Sequence, residues 1–149
     1  MLSHPISRLE QLNLYVARLA DRFDHKLWLV RVLMAAMFLE SAVDKMFNWS
    51  HYTTEVAAHH IPFPAFALVC ATTVELAGSA ALLFGVALAP ALLALAAYTL
   101  IINFFYFDFW ALPLPDAVGA RKEFLKNLAV AGGLLAYMFD ALTLRRRRG

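Results

Sequence analysis

Four stretches of nearly unbroken apolar residues run from Leu27 to Phe47, Phe63 to Phe84, Pro90 to Trp110 and Phe124 to Leu144. Each is long enough to cross the hydrocarbon of a bilayer, for which about 20 residues suffice at a helical rise of ~1.5 Å per residue. None alternates polar and apolar positions as barrel strands do. A peptide group in hydrocarbon finds no water to bond, so helices are the structure that satisfies these runs. The pattern predicts an all-α integral membrane protein, a four-helix bundle. Its breaks are well punctuated: Pro62 and Pro64 precede the second run, Gly85 ends it, Pro90 opens the third, and Pro113 with Pro115 closes it. Trp28, Trp49 and Trp110 fall near span ends, where amphipathic rings suit the headgroup level.

The segment ahead of the first span has a different pattern. Between Pro5 and Phe23, Ile6, Leu9, Leu12, Val16, Leu19 and Phe23 recur every three or four residues, with Arg8, Gln11, Arg18, Asp21 and Arg22 between them. This predicts an amphipathic interfacial helix lying on the cytoplasmic leaflet, arginines toward anionic headgroups. A helix that docks on a soluble partner has the same pattern. The chain thus divides into a cytoplasmic amphipathic helix over 1–26, a four-span domain over 27–144 and a basic cytoplasmic tail over 145–149.

Composition sharpens the class. With 149 residues, 62% hydrophobic and only 16% charged, the chain needs lipid to cover its apolar faces. The net charge of +2 comes largely from Arg145 to Arg148, a run without interleaved aromatics that follows a span, and so speaks for topology rather than nucleic-acid binding. Arg8, Arg18, Arg22, Lys26 and the arginine tail against a first external loop, Asn48 to Pro62, without Lys or Arg predict that both termini are cytoplasmic. A bacterial inner membrane is the expected location. The Ala111 to Glu123 loop then lies outside, and its Arg121 and Lys122 are the dissenting charges. No cleavable signal pattern is evident, so the first span is expected to be retained. Four short helices bury a modest interior, and small-xxx-small pairs (Ala129 with Gly133, Gly132 with Ala136, Ala67 with Ala71) provide close packing. A protein partner or a homo-oligomer is therefore expected beside membrane lipids.

The ionisable residues carry most of the remaining information. Glu40 and Asp44 stand one turn apart on the first span with Lys45 beside them, Glu75 reaches mid-depth on the second, Asn103 the outer half of the third, and Lys126 with Asn127 enters the fourth from outside. An unpaired charge at such depth costs at least ~2.5 to 3.5 kcal/mol, so pairing or a wet cavity is expected. Two readings stay open. In one, Lys45 and Lys126 neutralise Glu75, Glu40 or Asp44 and fix helix register. In the other, the layer is a pocket where a carboxylate exchanges protons with a redox-active ligand that Asn103 or Asn127 orients. At the opposite end, Arg31 and Asp140 share a depth and are expected to pair, stapling the first and last spans.

Other chemistries are narrower. The aromatic cluster Phe104, Phe105, Tyr106, Phe107, Phe109 and Trp110 is read first as interfacial packing, and second as a wall for a flat ligand such as a quinone. Cys70 is the only cysteine, which excludes an internal disulfide or a thiol pair. His51, His59 and His60, with Glu55, share the first external loop, but adjacent His59 and His60 diverge and no metal site is expected. Phosphate loops, dinucleotide fingerprints, haem attachment motifs and GxSxG elbows are absent.

Certain phrases resemble the DoxX family. They are Lys45 near the end of the first span, Val74-Glu75-Leu76-Ala77-Gly78 in the second, the leucine-rich stretch ending at Gly85, and Glu123-Phe124-Leu125-Lys126-Asn127-Leu128-Ala129 followed by Gly132-Gly133. The similarity runs roughly from Leu27 to Asp140, and the Lys-Asn phrase of the fourth span is its most specific part. The resemblance implies a compact four-helix membrane protein of a family named for a subunit of an archaeal thiosulfate:quinone oxidoreductase. It implies a subunit not catalytic alone, which supports a quinone-linked oxidoreductase with Glu75, Lys45, Lys126 and Asn127 at the relevant site. Quinone is the ligand implied, with no covalent or metal cofactor. The alternative is a non-catalytic membrane anchor or assembly factor that uses the amphipathic helix and the arginine tail.

Overall fold

The computed structural model describes residues 25–148, with side chains described over 28–143. The amphipathic helix expected between Pro5 and Phe23 and the side chains of the arginine tail lie outside the described residues. Five helices follow one another: α1 (His25–Phe47), α2 (Trp49–Ala58), α3 (Pro64–Phe84), α4 (Leu88–Tyr106) and α5 (Asp116–Arg148). Pro64 opens α3, where a missing backbone donor costs nothing, and Gly85 ends it in the left-handed conformation at φ 69°. Asp116 sits in the first turn of α5, its charge favourable against the helix dipole.

Three helices, α3, α4 and the Asp116–Thr143 part of α5, are long and apolar enough to cross a membrane. At 23 residues, or about 34 Å, α1 has the length as well, but Arg31, Glu40, Asp44 and Lys45 dilute its apolar content. It packs along α3 as extensively as α4 packs along α5, while α3 against α4 joins the two pairs. Large side chains such as Phe66, Phe84, Leu93, Ile101 and Phe139 point outward and exposed, the inverse of a water-soluble protein and the pattern that lipid contact requires.

Two expected loops turn out to contain helix. Within Asn48 to Pro62, α2 packs on α3 through buried Val56. The segment Ala111 to Glu123 is irregular only as far as Pro115, and α5 begins at Asp116, well ahead of its apolar run. Charged residues there are no obstacle to helix, since they project beyond the part that must be apolar.

The apolar core lies toward one end of the bundle. Ala35 and Phe38 of α1 meet Leu82 of α3, Leu92 and Leu95 of α4, and Leu134 and Met138 of α5. Close approach of α3 and α4 depends on Gly78, where a Cβ would fall 2.6 Å from Cγ of the fully buried Leu95. Of the small-residue pairs, Gly133 faces the Met34 side chain of α1, whereas Gly132 faces open space.

At this end the expected ion pair does not form. The ion pairs among the described residues are Lys45 with Glu75 and Lys126 with Glu123. Arg31 Nε instead donates to the Tyr137 hydroxyl at 2.7 Å, and Asp140 is exposed. Tyr137 is one turn before Asp140 on α5 and its ring reaches inward, where the short Asp140 side chain does not. The Arg31 guanidinium also lies over the end of α3, since a Cβ at Gly85 would come within 2.5 Å of Nη1. A cation there complements the helix C-terminus. The first and last spans are therefore stapled by arginine and phenol. In a double-mutant cycle followed by thermal unfolding in detergent, Tyr137→Phe should cost about 1 to 2 kcal/mol with Arg31 present and almost nothing with Arg31→Met, while Asp140→Ala stays within about 0.5 kcal/mol of wild type.

Candidate functional site

Away from the apolar core, the helices converge on a carboxylate. Glu75 of α3 is only 2% exposed. Its Oε1 accepts hydrogen bonds from Lys45 Nζ at 2.8 Å, the Tyr98 hydroxyl at 2.9 Å and the Ser41 hydroxyl at 3.0 Å, and its Oε2 accepts from Lys45 Nζ at 2.9 Å. Lys45 Nζ donates in turn to Ser41 Oγ at 2.5 Å. Ser41 and Lys45 are one helical turn apart on α1, so both reach the same partner across the helix contact. Burying a charge is costly unless it is paired and hydrogen-bonded, and here both oxygens of Glu75 are engaged. One turn away, Thr72 Oγ1 is the single buried side-chain oxygen or nitrogen without a partner among the described residues.

The other acids of α1 go elsewhere. Asp44 accepts from Asn48 Nδ2 at 2.6 Å and from the Tyr52 hydroxyl, which ties the end of α1 to α2. That hydrogen bond, followed by partial burial and the fields of Asp44, Glu55 and Glu40, pushes the Tyr52 phenol up to about 12. Lys45 Nζ lies 5.8 Å from the Tyr52 ring centroid, held between that ring and Glu75. Glu40 is exposed. Lys126 does not reach the acids of α1 or α3; it pairs with Glu123 of its own helix, with the lysine side chain 60% exposed. Asn103 is fully buried, donates to the Phe124 carbonyl at 3.0 Å and accepts from Asn127 Nδ2 at 3.3 Å, which clamps α4 to α5. Of the seven residues singled out in the sequence, Lys45 and Glu75 thus bond to each other, Asn103 and Asn127 form a second pair, Asp44 bonds to Asn48 and Tyr52, Lys126 pairs with Glu123, and Glu40 makes no side-chain bond among the described residues.

Beside the cluster lies a cavity of about 670 Å³. Glu75, Lys45, Ser41 and Tyr98 form part of its wall, α2 contributes Tyr52, Glu55 and Val56, and Glu40, Lys126 and Asn127 also line it. Most of the rest is apolar, including Ala67, Ala71, Ala94 and Ala97. The aromatic run divides between two duties. Phe105 and Tyr106 line the cavity, whereas Phe104, Phe109 and Trp110 pack edge to face with Phe124 at the start of the fourth span. His59 stacks on Tyr106 at 4.1 Å and His51 meets Tyr52 edge-on. No three His, Cys, Asp or Glu side chains come together in a metal-holding group among the described residues.

Three contributors escape the sequence reading. Ser41 and Tyr98 complete the shell of Glu75, and Tyr52 carries α2 onto Asp44. A signal for the last was available, since Trp49, Tyr52 and Val56 recur at helical spacing between Asn48 and Ala58. Nothing in the sequence distinguishes the Tyr98 hydroxyl from that of the adjacent Thr99 in the same apolar run.

The sequence model of the DoxX family matches residues 27–108, just over half of the chain. The chain belongs to the DoxX family. The match takes in α1 to α4, hence Ser41, Lys45, Glu75 and Tyr98, and stops before the Lys126-Asn127 phrase of α5. DoxX membership and the three apolar helices together make this an integral membrane protein. No curated protein and no solved structure matches the chain.

The pairing of this DoxX protein makes a sharp thermodynamic prediction. Lys45→Met leaves Glu75 buried without its counter-ion and should lower the unfolding free energy in detergent by about 3 to 5 kcal/mol, while Lys45→Met with Glu75→Leu should recover most of that loss. Equal losses in the single and double variants would contradict the pairing.

Proposed function

We propose that this protein is a membrane subunit that supports a quinone-linked oxidoreductase, binding the quinone ring beside Glu75, Lys45 and Tyr98. One observation carries the reading: a buried carboxylate, held by a lysine and two hydroxyls, stands on the wall of a mostly apolar cavity. At about 670 Å³ the cavity lies within the ~300 to 1,000 Å³ usual for sites of drug-sized ligands. Phe105 and Tyr106 give it the flat aromatic faces that suit a planar ring.

A bound quinone would supply the redox capacity, taking up two electrons and two protons on reduction. The side chains of this chain bind and orient the ring. Glu75 and the Tyr98 hydroxyl would bond the polar groups of the ring, and Lys45 holds the carboxylate in position. Glu40 and Glu55 line the same cavity. Asn103 and Asn127 keep α4 against α5, which holds the aromatic wall in place. No side chain here carries electrons, so a partner protein delivers them. In this reading both termini face the cytoplasm of a bacterial inner membrane, and Glu75 lies in the outer half of the bundle.

The test is quinone reduction by membranes that contain the protein together with whatever co-purifies after gentle extraction. Glu75→Gln should lower the rate about ten-fold or more, and Tyr98→Phe, which spares the ion pair, about three-fold. Unchanged rates, together with purified protein that binds no quinone, would refute the proposal. Loss of the partner on deleting residues 1 to 24, with Glu75→Gln still fully active, would instead identify a non-catalytic anchor.

A further inference from the structure

The cavity has a side that faces lipid. Cys70 on α3 and Ala94, Ala97 and Ile101 on α4 line it and are also exposed. Both helices are long and apolar enough to cross the membrane, so side chains exposed along them meet hydrocarbon rather than water. The exposed positions around them carry bulky residues such as Phe66, Val69 and Leu93, whereas three of these four are small. Small side chains thus leave room on the lipid-facing side of a cavity whose wall also carries Glu75 and Tyr98. Away from lipid, α2 lays Tyr52, Glu55 and Val56 along the cavity.

We propose that the cavity is loaded sideways from the bilayer, by a ligand whose polar ring reaches Glu75 while its flexible apolar chain lies in a trough walled by Cys70, Ala94 and Ala97. The proposal rests on the quinone reading and adds the side from which the ring enters and the place where the chain of a membrane quinone lies. The physics constrains what the trough does. Lipid tails are as apolar as the trough, so moving a chain from bilayer to protein releases little hydrophobic free energy. The trough contributes room: with the ring at a polar cluster inside the bundle, it gives the chain an apolar place that opens to the bilayer, without drawing the chain through water or past α2. Filling it should obstruct chained ligands far more than chainless ones.

The experiment compares decylubiquinone with its chainless ring analogue, by equilibrium binding to the purified full-length protein in detergent. Ala97→Phe, and from the opposite wall Cys70→Phe, should each raise the dissociation constant of decylubiquinone relative to that of the ring analogue by about ten-fold or more. Thermal melting identifies a variant that has lost its fold, and the two substitutions sit on different helices, so either one suffices. If both ligands weaken equally in a folded variant, or neither does, the bound chain does not lie in the trough, sideways loading falls and the quinone reading survives without it. If the wild-type protein binds neither compound, the quinone reading falls and sideways loading falls with it.

Discussion

The pairing of Lys45 with Glu75 is the constraint around which this bundle is organised. A carboxylate with 2% of its surface exposed would be prohibitive alone, and a lysine at that depth nearly so. Together they fix the register of α1 against α3, since sliding either helix by one residue would separate the charges. The Tyr98 hydroxyl brings α4 to the same point, and Ser41 fills the remaining space between lysine and carboxylate. Three helices thus meet at one anion. Such a network specifies geometry more surely than it adds stability, because an apolar replacement of equal volume avoids desolvation altogether.

The two ends of the bundle solve different problems. Toward Arg31, leucines and alanines interlock, Gly78 lets Leu95 close on α3, and one arginine reaches a phenol on the last span. Toward Lys45, polar groups satisfy one another around a cavity, and α2 folds over that side through Tyr52 and Val56. Tight packing at one end gives the other a rigid frame, and a frame of this kind lets a cavity persist next to a buried charge.

Much of the fold was legible because the bilayer imposes a strong rule: runs of about 20 apolar residues become helices. Lys45 and Glu75 were legible for the same reason, since charges inside such runs must find partners. What stayed hidden depends on side-chain direction. Periodicity places Asp140 and Arg31 at one depth, yet only the inward reach of Tyr137 decides which of the two acceptors is met. Lys126 looked like a second counter-ion, but Glu123 lies three residues away on its own helix and no desolvation is needed to reach it. Asn103 and Asn127 found each other, a contact that needs the rotation of two helices to be known. Helix α2 was missed because ten residues between two spans read as a loop, although its apolar face was present in the sequence.

Everything at this site turns on a carboxylate held by a lysine inside an apolar bundle. Infrared difference spectroscopy of the protein in bilayers at neutral pH, wild type minus Glu75→Gln, reads that charge state directly. The geometry predicts loss of carboxylate stretching bands with no carbonyl band of a protonated acid. A protonated-acid band assigned to Glu75 would show that Lys45 does not hold its charge, and the site would have to be redrawn.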